Sequence, residues 1–281
     1  MRKILLLVSV LMLVAICQAK VVTDSIQSNV LGESVKFNVY LPNGYDAASD
    51  RKYPVLYLLH GFTDTYSAWV EKGRVQEIAD ELIQSREICP MIIIMPNAGG
   101  PKTKTTWNGY FNMPGWNYED FFYQELIPQA ESRYHIYGDK QHRAISGLSM
   151  GGGGSVIYAQ RHTDMFSSCY GMSAWMDCGE VKVDPADKAT IVQQSVHEKS
   201  ALTFLREADE EVCAKLRSVR WYLDCGDDDF LLYTTMDVYK EMRNKRIPCE
   251  LRIRNGGHTW EYWHTALRMS LPFASNAFQN F

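Results

Sequence analysis

The chain has 281 residues, a formal net charge of −4 and 46% hydrophobic residues, and nowhere gathers its lysines and arginines into a basic stripe, so nucleic acid is excluded as a partner. Its seven cysteines include no C-x-x-C pair, which argues against a zinc site. Beyond the first residues no apolar run approaches the length of a membrane span.

The N-terminus reads as a signal peptide over residues 1–19. Arg2 and Lys3 supply the positive region, Ile4 to Ile16 the apolar region, and Cys17-Gln18-Ala19 the small-residue site before Lys20. This predicts export, to the periplasm or beyond. A lipid anchor at Cys17 fits less well, because Ile16 is bulky where a small residue is wanted. Cys89, Cys169, Cys178, Cys213, Cys225 and Cys249 remain after cleavage. That is an even number in an exported chain, and both disulfides and buried free thiols stay open.

Residues 20–281 suit one large α/β domain. Val35–Leu41 alternates apolar and polar residues, as a half-buried strand does. Tyr53–Leu59 and Met91–Met95 are nearly continuous apolar runs, which marks central strands covered on both faces. Helical spacing appears in 74–85 and in 118–134, where Pro128 is expected to kink the helix. Between them, residues 98–116 form a polar and aromatic loop. A strand from Arg143 and a helix beyond Ser149 follow, then a strand over 166–172. Periodicity weakens over 176–219, read as a cap-like insertion. Strands at 220–224 and 249–254, and helices at 231–243 and 260–278, complete the chain. Strands alternating with helices predict a mostly parallel sheet with right-handed crossovers.

The chemistry gathers at strand ends, where open α/β sheets bind ligands. Gly147-Leu-Ser-Met-Gly151 matches G-x-S-x-G, the nucleophile elbow. Its apex serine needs a strained backbone, and side chains two residues either side would collide with the turn. Gly152, Gly153 and Gly154 let the helix approach the sheet. A serine hydroxyl needs a base, and the base an orienting carboxylate. His258, in a loop after a strand and two glycines, is the candidate base; an acid within 227–229 completes the chain order Ser, Asp, His of α/β-hydrolases. His60 also ends a strand but precedes the serine, and reads as structural. The N–H groups of Met150 and Phe62 are the expected oxyanion donors. No metal or organic cofactor is required.

Val55–Gly61, Ala144–Gly152, Cys225–Leu231 and Gly256–Trp260 together resemble the esterase D-like family of α/β-hydrolases. That family includes feruloyl and acetyl-xylan esterases of carbohydrate esterase family 1, S-formylglutathione hydrolases and antigen 85-type mycolyltransferases. The resemblance implies the α/β-hydrolase fold, and its Gly-x-x-Asp-x-hydrophobic motif, aligned on Gly226, selects Asp229. The catalytic set expected is then Ser149, Asp229 and His258. Export disfavours the glutathione-thioester reading. Trp107, Tyr110, Trp116, Trp175 and Trp260 are candidate platforms for a sugar or phenolic ring. The expected activity is hydrolysis of feruloyl or acetyl esters on plant cell-wall polysaccharide or oligosaccharide. Acyl transfer to a sugar and non-catalytic glycan binding are the alternatives.

Overall fold

The computed structural model describes residues 18–279, so Cys17 and most of the expected signal peptide lie outside the described residues. Ten strands form: β1 (Lys20–Gln27), β2 (Ser34–Leu41), β3 (Val55–Leu59), β4 (Ile92–Pro96), β5 (Asn112–Met113), β6 (Trp116–Asn117), β7 (Arg143–Leu148), β8 (Ser168–Met172), β9 (Arg220–Gly226) and β10 (Cys249–Arg254). Eight make one sheet in the order β1-β2-β4-β3-β7-β8-β9-β10, while β5 and β6 pair as a small separate hairpin. From β4 to β10 the neighbours are parallel, and β1 and β2 add an antiparallel edge.

The apolar runs of β3 and β4 are explained by their two covered faces. Val55, Tyr57 and Leu59 enter one core with Ile92 and Ile94, and the alternating Leu56, Leu58, Ile93 and Met95 enter the other. The first core lies under the helices Met150–Arg161 and Leu232–Asn244 and the short helices of 118–133. The second lies under Val75–Gln84 and the terminal helix Trp260–Gln279. This is the mostly parallel sheet flanked by helices of an α/β-hydrolase.

Three elements differ from the sequence expectation. β1 was not foreseen: it is an edge strand whose pattern Lys-Val-Val-Thr-Asp-Ser-Ile-Gln is largely solvated, with only Ile26 buried. The helix over 118–134 does not simply kink. It passes through a π-helical turn at Phe122–Leu126 before resuming at Ile127–Arg133. Pro128 has no N–H to give back to the preceding turn and its ring crowds that turn's carbonyl, so the wider turn accommodates it. The 98–116 loop contains β5 and ends in β6. Residues 188–216 form three helices, of which Ala201–Glu207 packs beside Leu232–Asn244 and Met150–Arg161. The six cysteines of the described residues are free thiols, with Cys169, Cys213 and Cys225 buried.

Candidate active site

Ser149 stands between β7 and the helix Met150–Arg161 with φ 53° and ψ −119°, a conformation unfavourable for any residue with a Cβ. Its surroundings leave little choice. A Cβ on Gly147 would lie 2.4 Å from the Gly151 carbonyl oxygen, one on Gly151 2.5 Å from those of Leu59 and His60, and one on Gly153 1.9 Å from that of Trp175. The helix therefore sits directly on the sheet, and the turn before it is driven outward. The Ser149 N–H donates to Met172 O and its carbonyl accepts from Trp175 N–H, both at 2.9 Å, which pins the apex to the end of β8.

The turn after β9 brings the carboxylate. Asp229 is 4% exposed, and its Oδ1 accepts the Leu231 N–H at 2.9 Å. Asp224, within the strand, is occupied elsewhere: it accepts from Tyr170 Oη at 2.6 Å and from Tyr262 Oη, with Arg254 alongside. Asp227 caps the Gly256 N–H at 2.9 Å, and Asp228 is exposed. Asp229 alone of the four reaches His258, whose Nδ1 lies 2.9 Å from Oδ2 and 3.1 Å from Oδ1. His258 Nε2 in turn lies 2.9 Å from Ser149 Oγ. Burial works against ionisation of Asp229, but hydrogen bonds from His258, Ser173 and the Leu231 N–H outweigh it and hold the carboxyl below its ordinary range. The imidazole must then carry its proton on Nδ1 and offer the Nε2 lone pair to the serine.

Gly61 brings the loop after β3 against the elbow: a Cβ there would be 3.6 Å from that of Ser149. Among the described residues, the N–H groups of Phe62 and Met150 donate to no protein acceptor. His60 anchors this loop. It is 1% exposed, its Nε2 accepts from Ala98 N–H at 2.9 Å, and its Nδ1 lies 2.9 Å from Gly61 O. Burial lowers its pKa to about 4, so it stays neutral, with the tautomer set by these two bonds.

The candidate aromatics divide. Trp175, whose main-chain N–H donates to Ser149 O, packs edge-on against Phe62, ring centroids 6.1 Å apart. Trp260 is half-buried and packs on Trp69 and Trp263 at 5.2 and 5.5 Å. Tyr110 is 1% exposed with its hydroxyl on His60 O and has no face left for a ligand; Trp116 is 6% exposed, its indole N–H donates to Gly109 O, and the little of it that shows lines a cleft with Trp107. Trp107 stacks on Trp116 at 6.3 Å under Lys188, in a cleft whose lining does not include Ser149. Two residues at the site escaped sequence reasoning. Ser173, at the end of β8 with φ 44°, bonds Asp229 and takes the Trp263 indole N–H at 3.1 Å. Phe230, directly after the acid, lies 4.5 Å from the His258 ring. A position beside a selected acid, and the carboxyl end of a strand next to the elbow strand, were the available signals.

Among the described residues no cluster of His, Cys, Asp or Glu has the arrangement of a metal site, and no helix is long and apolar enough to cross a membrane. A cavity of about 650 Å³ lined by Arg217, Arg220, Trp221 and Cys249 lies at the amino ends of β9 and β10, the edge opposite Ser149.

The "Putative esterase" family model matches residues 28–274. A solved ferulic acid esterase is 52% identical, with a TM-score of 0.90, covering 93% of this chain and 99% of that one. The endo-1,4-beta-xylanase/feruloyl esterase of Xylanibacter ruminicola is 33% identical over 142 residues, which is 50% of this chain but only 19% of that relative. The acetyl esterase of Caldicellulosiruptor saccharolyticus is 22% identical over 80% of this chain and 81% of its own length. The chain belongs to the esterase family and is a serine carboxylic ester hydrolase.

Proposed function

We propose that the protein releases hydroxycinnamic acids, ferulate foremost, from esters on plant cell-wall polysaccharide or oligosaccharide, with Ser149, His258 and Asp229 as its catalytic triad. The observation that carries the mechanism is the continuous line of hydrogen bonds from Asp229 through His258 to Ser149 at the apex of a strained turn. The 52% identity to a ferulic acid esterase over nearly the full length supports the acyl group. Export, supported by Arg2, Lys3 and the apolar run behind them, would bring the enzyme to such a substrate.

In this reading Ser149 Oγ attacks the ester carbonyl as His258 Nε2 takes its proton. Asp229 holds the imidazole in the required tautomer and stabilises the imidazolium that forms. The carbonyl oxygen, now an oxyanion, accepts from the Phe62 and Met150 N–H groups; one such donor is worth roughly 3–4 kcal/mol in comparable sites. The positive end of the helix Met150–Arg161 points the same way. As the tetrahedral intermediate collapses, His258 gives that proton to the departing sugar oxygen, which leaves as a free hydroxyl. It then activates a water that attacks the acyl-serine, releasing the free acid and restoring Oγ–H.

The edge-on pair of Phe62 and Trp175 beside the nucleophile offers an apolar wall suited to a planar cinnamoyl group. Relatedness to an acetyl esterase favours a second reading, in which the acyl group is acetyl. Parallel turnover of methyl ferulate and 4-nitrophenyl acetate by the wild type and Trp175→Ala separates the two. Ferulate release that drops about tenfold in Trp175→Ala, with acetate release much less affected, is expected. Turnover of acetate alone would replace the feruloyl reading with the acetyl one.

A further inference from the structure

We propose that Phe230 is the sugar-stacking residue of the leaving-group side, holding the ring whose hydroxyl carries the ester. This rests on the hydrolase reading above. Phe230 is 74% exposed although it directly follows the buried Asp229, so its ring stands in solvent at the mouth of the site. Its ring is not idle: it lies 4.5 Å from the His258 imidazole, tilted 45° to it, while Trp263 packs against the same imidazole at 4.8 Å and 89°. The imidazole thus touches a buried tryptophan and a phenylalanine that faces solvent.

The chemistry fixes which half of the substrate meets Phe230. The acyl oxygen must point to the Phe62 and Met150 N–H groups, and the leaving oxygen must come within hydrogen-bond reach of His258 Nε2 to be protonated. A group attached to that oxygen therefore emerges past the rim of the imidazole, where the exposed face of Phe230 stands. An apolar ring face is matched by the C–H face of a furanose or pyranose. A methyl leaving group is too small to cover it. Trp175 and Phe62, on the oxyanion side, meet the acyl half instead, so the two aromatic surfaces read different parts of the ester.

The test compares one acyl group on two alcohols, methyl ferulate and a feruloylated arabino-oligosaccharide, with wild type, Phe230→Ala and Phe230→Trp. Phe230→Ala is expected to lower kcat/KM on the oligosaccharide about tenfold more than on methyl ferulate, chiefly through KM, as for uncovering roughly 50–60 Å² of apolar ring. Phe230→Trp is expected to restore the oligosaccharide preference. If Phe230 only steadies His258, both substrates fall together in Phe230→Ala and the pH–rate profile moves; that result overturns the inference. A wild type that hydrolyses neither ester refutes the functional reading itself, whereas equal losses in an active enzyme refute only the role of Phe230.

Discussion

Asp229→Asn tests the orienting carboxylate with the least change of shape, and the structure says which way the amide would turn. Oδ1 accepts the Leu231 main-chain N–H at 2.9 Å, a donor that cannot be reversed. An asparagine must keep its oxygen there, which puts its NH₂ where Oδ2 now faces His258 Nδ1 at 2.9 Å. A donor in that place, nearer to Nδ1 than the retained oxygen at 3.1 Å, favours the imidazole proton on Nε2, and Nε2 then presents N–H, not a lone pair, to Ser149 Oγ at 2.9 Å. The serine loses its base while every heavy atom stays put. By analogy with the same substitution in a serine protease triad, kcat should fall about 10⁴-fold, or roughly 5.5 kcal/mol of transition-state stabilisation, with little change in KM. Steady-state hydrolysis of methyl ferulate measures it, with the thermal unfolding midpoint as a check on the fold. A well-folded Asp229→Asn that keeps a tenth or more of wild-type kcat would refute this chain of reasoning, and Asp224 or Asp227 would have to be reconsidered.

Two further outcomes follow from buried groups near the elbow. His60 accepts a proton near pH 6.5 when unfolded but only near pH 4 when folded, so the unfolded state binds the extra proton between those values and stability falls as the pH drops through that window. The group contributes no penalty above about pH 7 and costs about 3 kcal/mol below pH 4; denaturant titrations at pH 7 and pH 5 should show a shallower loss in His60→Gln, and an unchanged slope would contradict the assigned neutral state. Gly153→Ala should abolish both activity and the wild-type unfolding midpoint, because its Cβ would fall 1.9 Å from the Trp175 carbonyl oxygen; a variant that folds and labels normally would show that the helix can retreat from the sheet.

Much of this was legible in the sequence because the elements that build the site obey strong local rules. β3 and β4 are buried on both faces, so their sequences are unbroken apolar runs, and Gly147, Gly151 and Gly153 are forced because a Cβ there would fall 1.9–2.5 Å from backbone oxygens. What escaped the sequence depends on geometry between distant segments. β1 is a solvated edge strand, defined by its eight-residue register with β2 and not by its own pattern. Whether a tryptophan faces solvent or core cannot be told from its neighbours: Trp116 and Trp175 sit in similarly polar loops, yet one belongs to the β5–β6 hairpin and packs between Trp107 and Tyr118, and the other meets Phe62. Among Asp224, Asp227, Asp228 and Asp229 the sequence needed a family motif to choose; the proposed role of Asp229 is supported by its contact with His258, whereas Asp224 and Asp227 have other partners and Asp228 is exposed.

The central claim is that Ser149 is the nucleophile of an ester hydrolase. Its most direct measurement is labelling with a fluorophosphonate, followed by mapping of the modified peptide, in parallel with ferulate release by the wild type and Ser149→Ala. One label is expected, on Ser149, and Ser149→Ala should lose it together with all ester turnover. A label on another residue, or a Ser149→Ala variant that still releases ferulate at the wild-type rate, would contradict it.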